Sequence, residues 1–163
     1  MTQIHCSIEF EAAGMDAGEL ISRYATGERD FIRVDLSEVN LSHANLVGID
    51  LSGAILAGAK LDEANLSTAD LLCADLCWAF LPGANLTKAN LRYADLCRAD
   101  LKMACLHQAD LYRANLCGAD LSGAKLSGAN LSYTNLRSTL LAAVDLTGAN
   151  LSGATMPDGT THD

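Results

Sequence analysis

Cysteine stands at positions 77, 97 and 117, and tyrosine or arginine at 93, 113 and 133, with Arg92 and Tyr112 beside two of them. These residue types do chemistry or anchor interfaces: thiolates bind soft metals, while tyrosine, tryptophan and arginine concentrate binding energy. Cys105 and His107 form a second, short-range pair, and serine is abundant. Nucleophilic catalysis needs a base held beside the nucleophile. Of the four histidines only His43 and His107 fall in the leucine-rich stretch, and the sequence positions neither to activate a serine. No glycine-rich phosphate loop is present. Whether the other candidates act together depends on what element brings residues twenty apart into register.

That element announces itself through leucine, which occupies 36, 41, 46 and every fifth position to 151, with Met156 closing the series and Phe31 opening it. On an α-helix, five residues advance about 500°, so successive leucines would step about 140° around the axis and form no stripe. On a straight strand an odd spacing sends them to opposite faces. A chain that bends the same way once per five residues brings every leucine inward. Four such bends close a square coil of twenty.

The residues between the leucines support the bend. Two before each leucine lies alanine in most units, as at 44, 64, 84, 104 and 124; one before lies Asp or Asn; two after lies glycine in nine units, using nine of the thirteen glycines. A turn running from the leucine to the next alanine puts that glycine at the third turn position, where a type II turn needs φ > 0. Turns ending in glycine are therefore expected to be type II, and those across 63–113 mostly otherwise. Alanine and leucine point inward and the other three positions face water.

The pattern A-(D/N)-L-x-x resembles the pentapeptide-repeat proteins, in 25 consecutive units from Leu36 to Met156. The resemblance implies an all-β solenoid, a right-handed quadrilateral β-helix, and short members with an N-terminal helix are similar to those abundant in cyanobacteria. At the strand spacing the solenoid has about six coils and is about 30 Å long. Isolated departures affect local turns: Ile49 and Val144 replace the small residue, and Ile55, Lys60, Phe80, Cys105, Lys125 and Leu140 replace Asp or Asn.

We read residues 1–15 as a leader, either a strand, from the alternation of Ile4, Cys6, Ile8 and Phe10, or disordered. Residues 16–27 form a capping helix, with Asp16 as N-cap, Glu19 at N3, Met15 and Leu20 as a hydrophobic staple and Gly27 as stop. The β-helix spans 31–156, and 157–163 is a polar tail that offers only Pro157 as a blunt end. With no comparable helix there, outward Leu140, Ala142 and Ala143 suggest a homodimer contact that covers the bare coil.

Stacking by twenty fixes the surface columns. Cys77, Cys97 and Cys117 line up on one wall, a geometry that cannot converge four zinc ligands, so no metal or cofactor is expected. Six cysteines without an export signal read as free thiols rather than a disulfide framework. Tyr93, Arg113 and Tyr133 share a column beside Arg92 and Tyr112, with Trp78 round the corner. This wall is the candidate binding surface for an unidentified protein. Polar residues recur by turn chemistry rather than by convergence, so an enzyme is not expected.

No apolar run approaches a membrane span of about 18 residues, and the start lacks a secretion signal, so the expected location is cytoplasmic. The net charge of −9 lies mostly at the ends: residues 1–30 carry six acids against two bases, while 31–156 carry twelve against nine. The family resemblance also implies an alternative function, since some members resemble B-form DNA in shape and charge, bind DNA gyrase and alter its inhibition by quinolones. Such mimicry needs a sustained negative wall, which the weakly charged repeats do not offer. Neither direct nucleic-acid binding nor membrane association is expected. The favoured reading is a non-enzymatic interaction scaffold.

Overall fold

The computed structural model describes residues 14–163. From Asp30 onward each residue preceding an inward leucine pairs in parallel with the one twenty positions later: Asp30 with Asp50, Asp75 with Asp95, Asn135 with Thr155. A coil is thus twenty residues with a bend every five, and it is four-sided. Each side contributes a single bridge rather than a strand of several residues, because the other residues of the unit form the bend.

The bend follows from where the five N–H groups of a unit go. Around Leu96, the Leu96 N–H donates to the Asn115 carbonyl of the next coil (2.7 Å), and that of Arg98 to Cys117 (2.9 Å). The Asp95 N–H reaches back to Ala74 (2.9 Å), and the Ala99 N–H closes the turn onto the Leu96 carbonyl (3.1 Å). The fifth, on Cys97, is accepted by the Asp95 carboxylate at 3.0 Å. The same side-chain bond recurs from Ser37 to Asp35, Cys77 to Asp75, Cys117 to Asn115 and Ser152 to Asn150. An acceptor two residues ahead of an otherwise unpartnered N–H is what Asp and Asn supply and longer or apolar side chains do not. At several of these positions a Ser hydroxyl donates as well, as from Ser42 to Asn40 and Ser52 to Asp50, and side-chain bonds from Ser37 and Ser122 hold the Asp35 and Asp120 carboxyls below their usual range.

Phe80 departs from this rule without harm, because the residue two further on is Pro82, which has no N–H to satisfy. Across 63–113, where turns mostly other than type II are expected, the backbone bends with the same sign of φ as at the glycines. The residue two after the leucine has positive φ throughout, 65–71° at the nine glycines and 54–60° at sixteen other residues, including Trp78, Tyr93 and Arg113. Only this second central residue is left-handed, as in a type II turn. Bonds to both neighbouring coils impose the conformation on side chains that would otherwise avoid it.

Inside, every fifth-position leucine from 36 to 136 is fully buried, as is the alanine two before each leucine from Ala54 to Ala129, and Ile49 fits at an alanine position. Thr134 and Thr139 also sit at buried alanine positions, where their hydroxyls donate to the Leu111 (2.8 Å) and Leu116 (3.1 Å) carbonyls. Among the described residues no buried side-chain polar atom is stranded.

The first coil is covered by α1, Ala17–Ala25, with Asp16 as N-cap accepting from the Glu19 N–H at 2.8 Å. Leu20 is fully buried, Met15 nearly so, and Gly27 has φ 101°. The Met15 N–H donates to the Asp35 carbonyl (2.9 Å), and the Tyr24 hydroxyl to that of Val47 (2.8 Å), fastening the helix to the wall. The Ile4–Phe10 alternation lies outside the described residues.

The C-terminal tail differs from the blunt end read from Pro157. It doubles back, pairing Thr155 with Thr161 antiparallel, and the Gly153 and Met156 N–H groups donate to His162 and Thr160 carbonyls (both 2.7 Å). This hairpin covers one side only. The N–H groups of Leu141, Ala143, Leu146, Gly148 and Leu151 have no backbone acceptor among the described residues, and Leu141, Leu146 and Leu151 are only partly buried.

If the Asp or Asn serves the fifth N–H, Asp75→Ala lowers stability by about 1–2 kcal/mol, while Phe80→Asp gains almost nothing because Pro82 has no N–H. Denaturant melts of both variants check this; equal effects would refute it.

Candidate binding wall

The coil register puts three tyrosines on the outside in contact. Tyr93 and Tyr112 meet edge to face with ring centroids 5.7 Å apart, and Tyr112 meets Tyr133 likewise at 5.8 Å. The ladder zigzags because Tyr112 sits one residue after its leucine, whereas Tyr93 and Tyr133 sit two after theirs, at the corner. The Arg92 guanidinium lies 4.7 Å from the Tyr112 centroid and bonds Asp110 at 3.1 Å. That of Arg113 lies 5.5 Å from Tyr112 and 5.7 Å from Tyr133. Such contacts contribute about 0.5–1.5 kcal/mol each and fix the side chains without burying them; Tyr133 remains 56% exposed.

Trp78 stands apart from this ladder. It occupies the next corner, 62% exposed, under the guanidinium of Arg98 at 4.8 Å. Arg98 is the functional-site candidate missing from the sequence-derived set, although it lies twenty residues after Trp78 and so in its column. Between the two corners runs a floor of Asp75, Cys77, Asp95, Cys97, Asn115 and Cys117.

A second signal concerns glycine. Tyr133 lies flat over Gly153, where an added Cβ would come within 2.7 Å of its Cδ1 and Cε1, and Met103 covers Gly123 in the same way. Arg33, Glu38, Glu63, Arg98 and Gln108 lean over Gly53, Gly58, Gly83, Gly118 and Gly128. A long side chain two after the leucine, followed twenty residues later by glycine, therefore reads as a seat.

The thiol column is as expected in position: Cys77, Cys97 and Cys117 are free and half-buried, as is Cys105 on another wall. Cys73, by contrast, is disulfide-bonded, which corrects the expectation of free thiols at that position. Burial, then the Asp95 and Asp75 carboxylates, pushes the Cys77 thiol up to about 12; burial first and then Asp95 also raises Cys97. Both are the reverse of activated cysteines. Among the described residues no group of three or more His, Cys, Asp or Glu could hold a metal ion.

Cys105 and His107 turn to different partners, Thr87 Oγ1 (3.2 Å) and Ser127 Oγ (2.8 Å). A histidine does therefore meet a serine, because His107 and Ser127 fall in one column. The pair lies on an exposed wall, and among the described residues no carboxylate is hydrogen-bonded to His107 to orient it. At His43 the Ser42 hydroxyl donates to Asp62 (2.5 Å), while the imidazole Nδ1 faces Glu63 (3.3 Å).

The repeat geometry and the sequence family agree. The model of the pentapeptide repeats matches in eight copies, over 35–71, 69–108, 83–118, 104–141 and 119–156. The chain belongs to the pentapeptide-repeat family, whose fold is a right-handed β-helix solenoid. Among solved structures it is similar to HetL, a pentapeptide repeat protein involved in heterocyst differentiation regulation in the cyanobacterium Nostoc sp. strain PCC 7120. Identity is 30%, over 91% of this chain and 100% of that one, with a TM-score of 0.48. Rfr23 of the cyanobacterium Cyanothece 51142 is 28% identical over 90% and 100% of the two chains, TM-score 0.35. QnrB1, a plasmid-mediated fluoroquinolone resistance protein, is 20% identical over 78% and 76%, TM-score 0.46. No curated protein matches the sequence. No helix among the described residues is long and apolar enough to cross a membrane.

Because its folded pKa is raised, Cys77 holds less thiolate than an ordinary thiol at any pH below about 12. Its iodoacetamide alkylation, followed by mass spectrometry, is expected to be slow at neutral pH and to keep rising beyond the ordinary thiol value of 9.0. Asp75→Asn/Asp95→Asn is expected to speed it. A rate that levels off near the ordinary value would contradict this.

Proposed function

We propose that the protein is a non-catalytic binding scaffold that docks a partner protein on the wall formed by Tyr93, Tyr112 and Tyr133 with Arg92 and Arg113, continued round the corner by Trp78. The observation that carries this reading is the placement of three of the four tyrosines in one external ladder. Rigid aromatic rings with arginines beside them give contact area at low entropic cost.

Gyrase modulation by DNA mimicry, the alternative implied by the family, has less support. Most acids in the repeats are engaged as turn acceptors, Asp110 pairs with Arg92, and Asp100 and Asp120 flank Lys102 at 3.3 and 3.2 Å. Lysine and arginine interrupt the walls that would have to imitate a phosphate backbone.

The test is replacement of Tyr93, Arg113 and Tyr133 together by Ser. None fills the core, so only a few degrees of melting temperature should be lost, while a partner captured from native cell extract by the wild type should be lost. Retention of every bound protein would reduce the ladder to wall stacking.

A second contact concerns the open coil, where Leu140 is 57% exposed beside exposed Ala142 and Ala143 and the unpaired N–H groups. We propose that a second copy covers this edge, since bare edges and apolar surface favour association. Leu140→Lys is expected to shift the protein toward monomer in light scattering at high concentration. A wild type that is strictly monomeric there would end the idea.

A further inference from the structure

The structure sorts its basic residues into two kinds. Lys102 is neutralised by the Asp100 and Asp120 carboxylates of its own and the next coil, and Arg92 by Asp110. Arg98, Arg113 and Arg137 are exposed and have no carboxylate within ion-pair distance among the described residues. Their recorded neighbours are Trp78 for Arg98, Tyr112 and Tyr133 for Arg113, and Gly118 and Gly159 under Arg98 and Arg137.

Neighbouring acids are few and engaged. On the wall that carries the thiol column, the residue preceding the leucine is Asp75 and Asp95 in the middle coils, then Asn115, Asn135 and Thr155. Asn115 and Asn135 accept the Cys117 and Arg137 N–H groups at 3.2 Å, as Asp95 accepts that of Cys97. The turn is thus made by amide or carboxylate alike, so folding does not require the charge to disappear where the arginines stand. Asp95 and Asp110 also accept from Asn115 and Asn130, and Asp158 accepts the Thr160 N–H and hydroxyl. These bonds leave Asp95 charged, but from Asp95 to Arg137 this wall and its two corners carry that one acid against Arg98, Arg113 and Arg137, a locally cationic strip on a protein whose net charge is −9.

We infer that this strip, running from Arg98 past Arg113 to Arg137, binds a short acidic segment of the partner protein. The inference rests on the scaffold reading and names the chemistry of its partner. Guanidinium groups pair carboxylates with directed, bidentate bonds, and exposed Trp78 and Tyr133 offer apolar contact beside them. Arg98 and Arg137 lie two coils apart, about 10 Å at the sheet spacing, which with their reach spans about five residues of extended peptide. A nucleic-acid strand fits less well. A longer polyanion would leave the strip for Asp75 on one side and the acidic tail, Asp158 and Asp163, on the other.

The test measures binding of fluorescent hexaglutamate to the full chain at low salt, with hexaglutamine, hexalysine and a short oligothymidylate as comparators. The wild type is expected to bind hexaglutamate best and to release it as salt rises. Arg98→Gln/Arg113→Gln/Arg137→Gln should weaken binding about tenfold or more with an almost unchanged melting temperature, and the corresponding triple Glu variant should prefer hexalysine. Binding no better than hexaglutamine, binding unchanged in the Gln variant, or tighter binding of oligothymidylate would each overturn the inference. Arg98→Gln/Arg137→Gln separates it from the parent reading, because neither residue belongs to the tyrosine ladder. Should hexaglutamate fail to bind while the Tyr93/Arg113/Tyr133 variant still loses its captured partner, the acidic-segment inference alone falls.

Discussion

One N–H in every five has no backbone acceptor, and the rest of the molecule is arranged around that fact. Four backbone groups of each unit are satisfied by the coils on either side and by the turn itself; the fifth depends on a side chain two residues earlier. An unpaired backbone group in a half-buried wall costs about 1–3 kcal/mol, so the demand recurs at every bend. It fills the surface with Asp and Asn for a reason unrelated to any ligand. The acidity of the chain is in large part the trace of this demand, and for that reason a poor guide to partners.

Function must then be sought where the turn leaves a choice. The two outward positions after each leucine are free of the core and, apart from positive φ at the second, free of backbone demands. The tyrosine ladder and the unpaired arginines occupy these positions. The choice between Asp and Asn is a third degree of freedom, because both accept the same bond while only one carries charge. Neutral Asn115 and Asn135 beside Arg113 and Arg137, against Asp100 and Asp120 around Lys102, show the same backbone supporting opposite electrostatic surfaces.

The sequence made the inward leucine and alanine, the coil of twenty and the helix over the first coil legible, because each follows from a period or from a local cap. The columns were legible too, which is why Tyr93, Tyr112, Arg113 and Tyr133 are found together. What escaped depends on side-chain direction or on backbone conformation imposed from outside the unit. Composition alone assigns positive φ to glycine, whereas Tyr93 and Arg113 adopt it because bonds to adjacent coils hold them there. Arg98 over Trp78 and His107 against Ser127 needed the column to be read for contacts as well as for alignment. The tail hairpin needed His162 to return to Gly153, a pairing with no periodic signature.

The glycine seats give the outer surface a period that the core does not share. Leucine and alanine repeat every five residues, so inserting or removing one unit leaves the interior filled. The seats join residue to residue across twenty, as Tyr133 to Gly153 and Arg98 to Gly118. A one-unit insertion would turn every later column through a quarter circle, splitting the tyrosine ladder between two walls and laying long side chains over non-glycine corners. Whole coils can be gained or lost without that penalty. Length variation in such a chain is therefore quantised by its surface, in steps four times larger than its core requires.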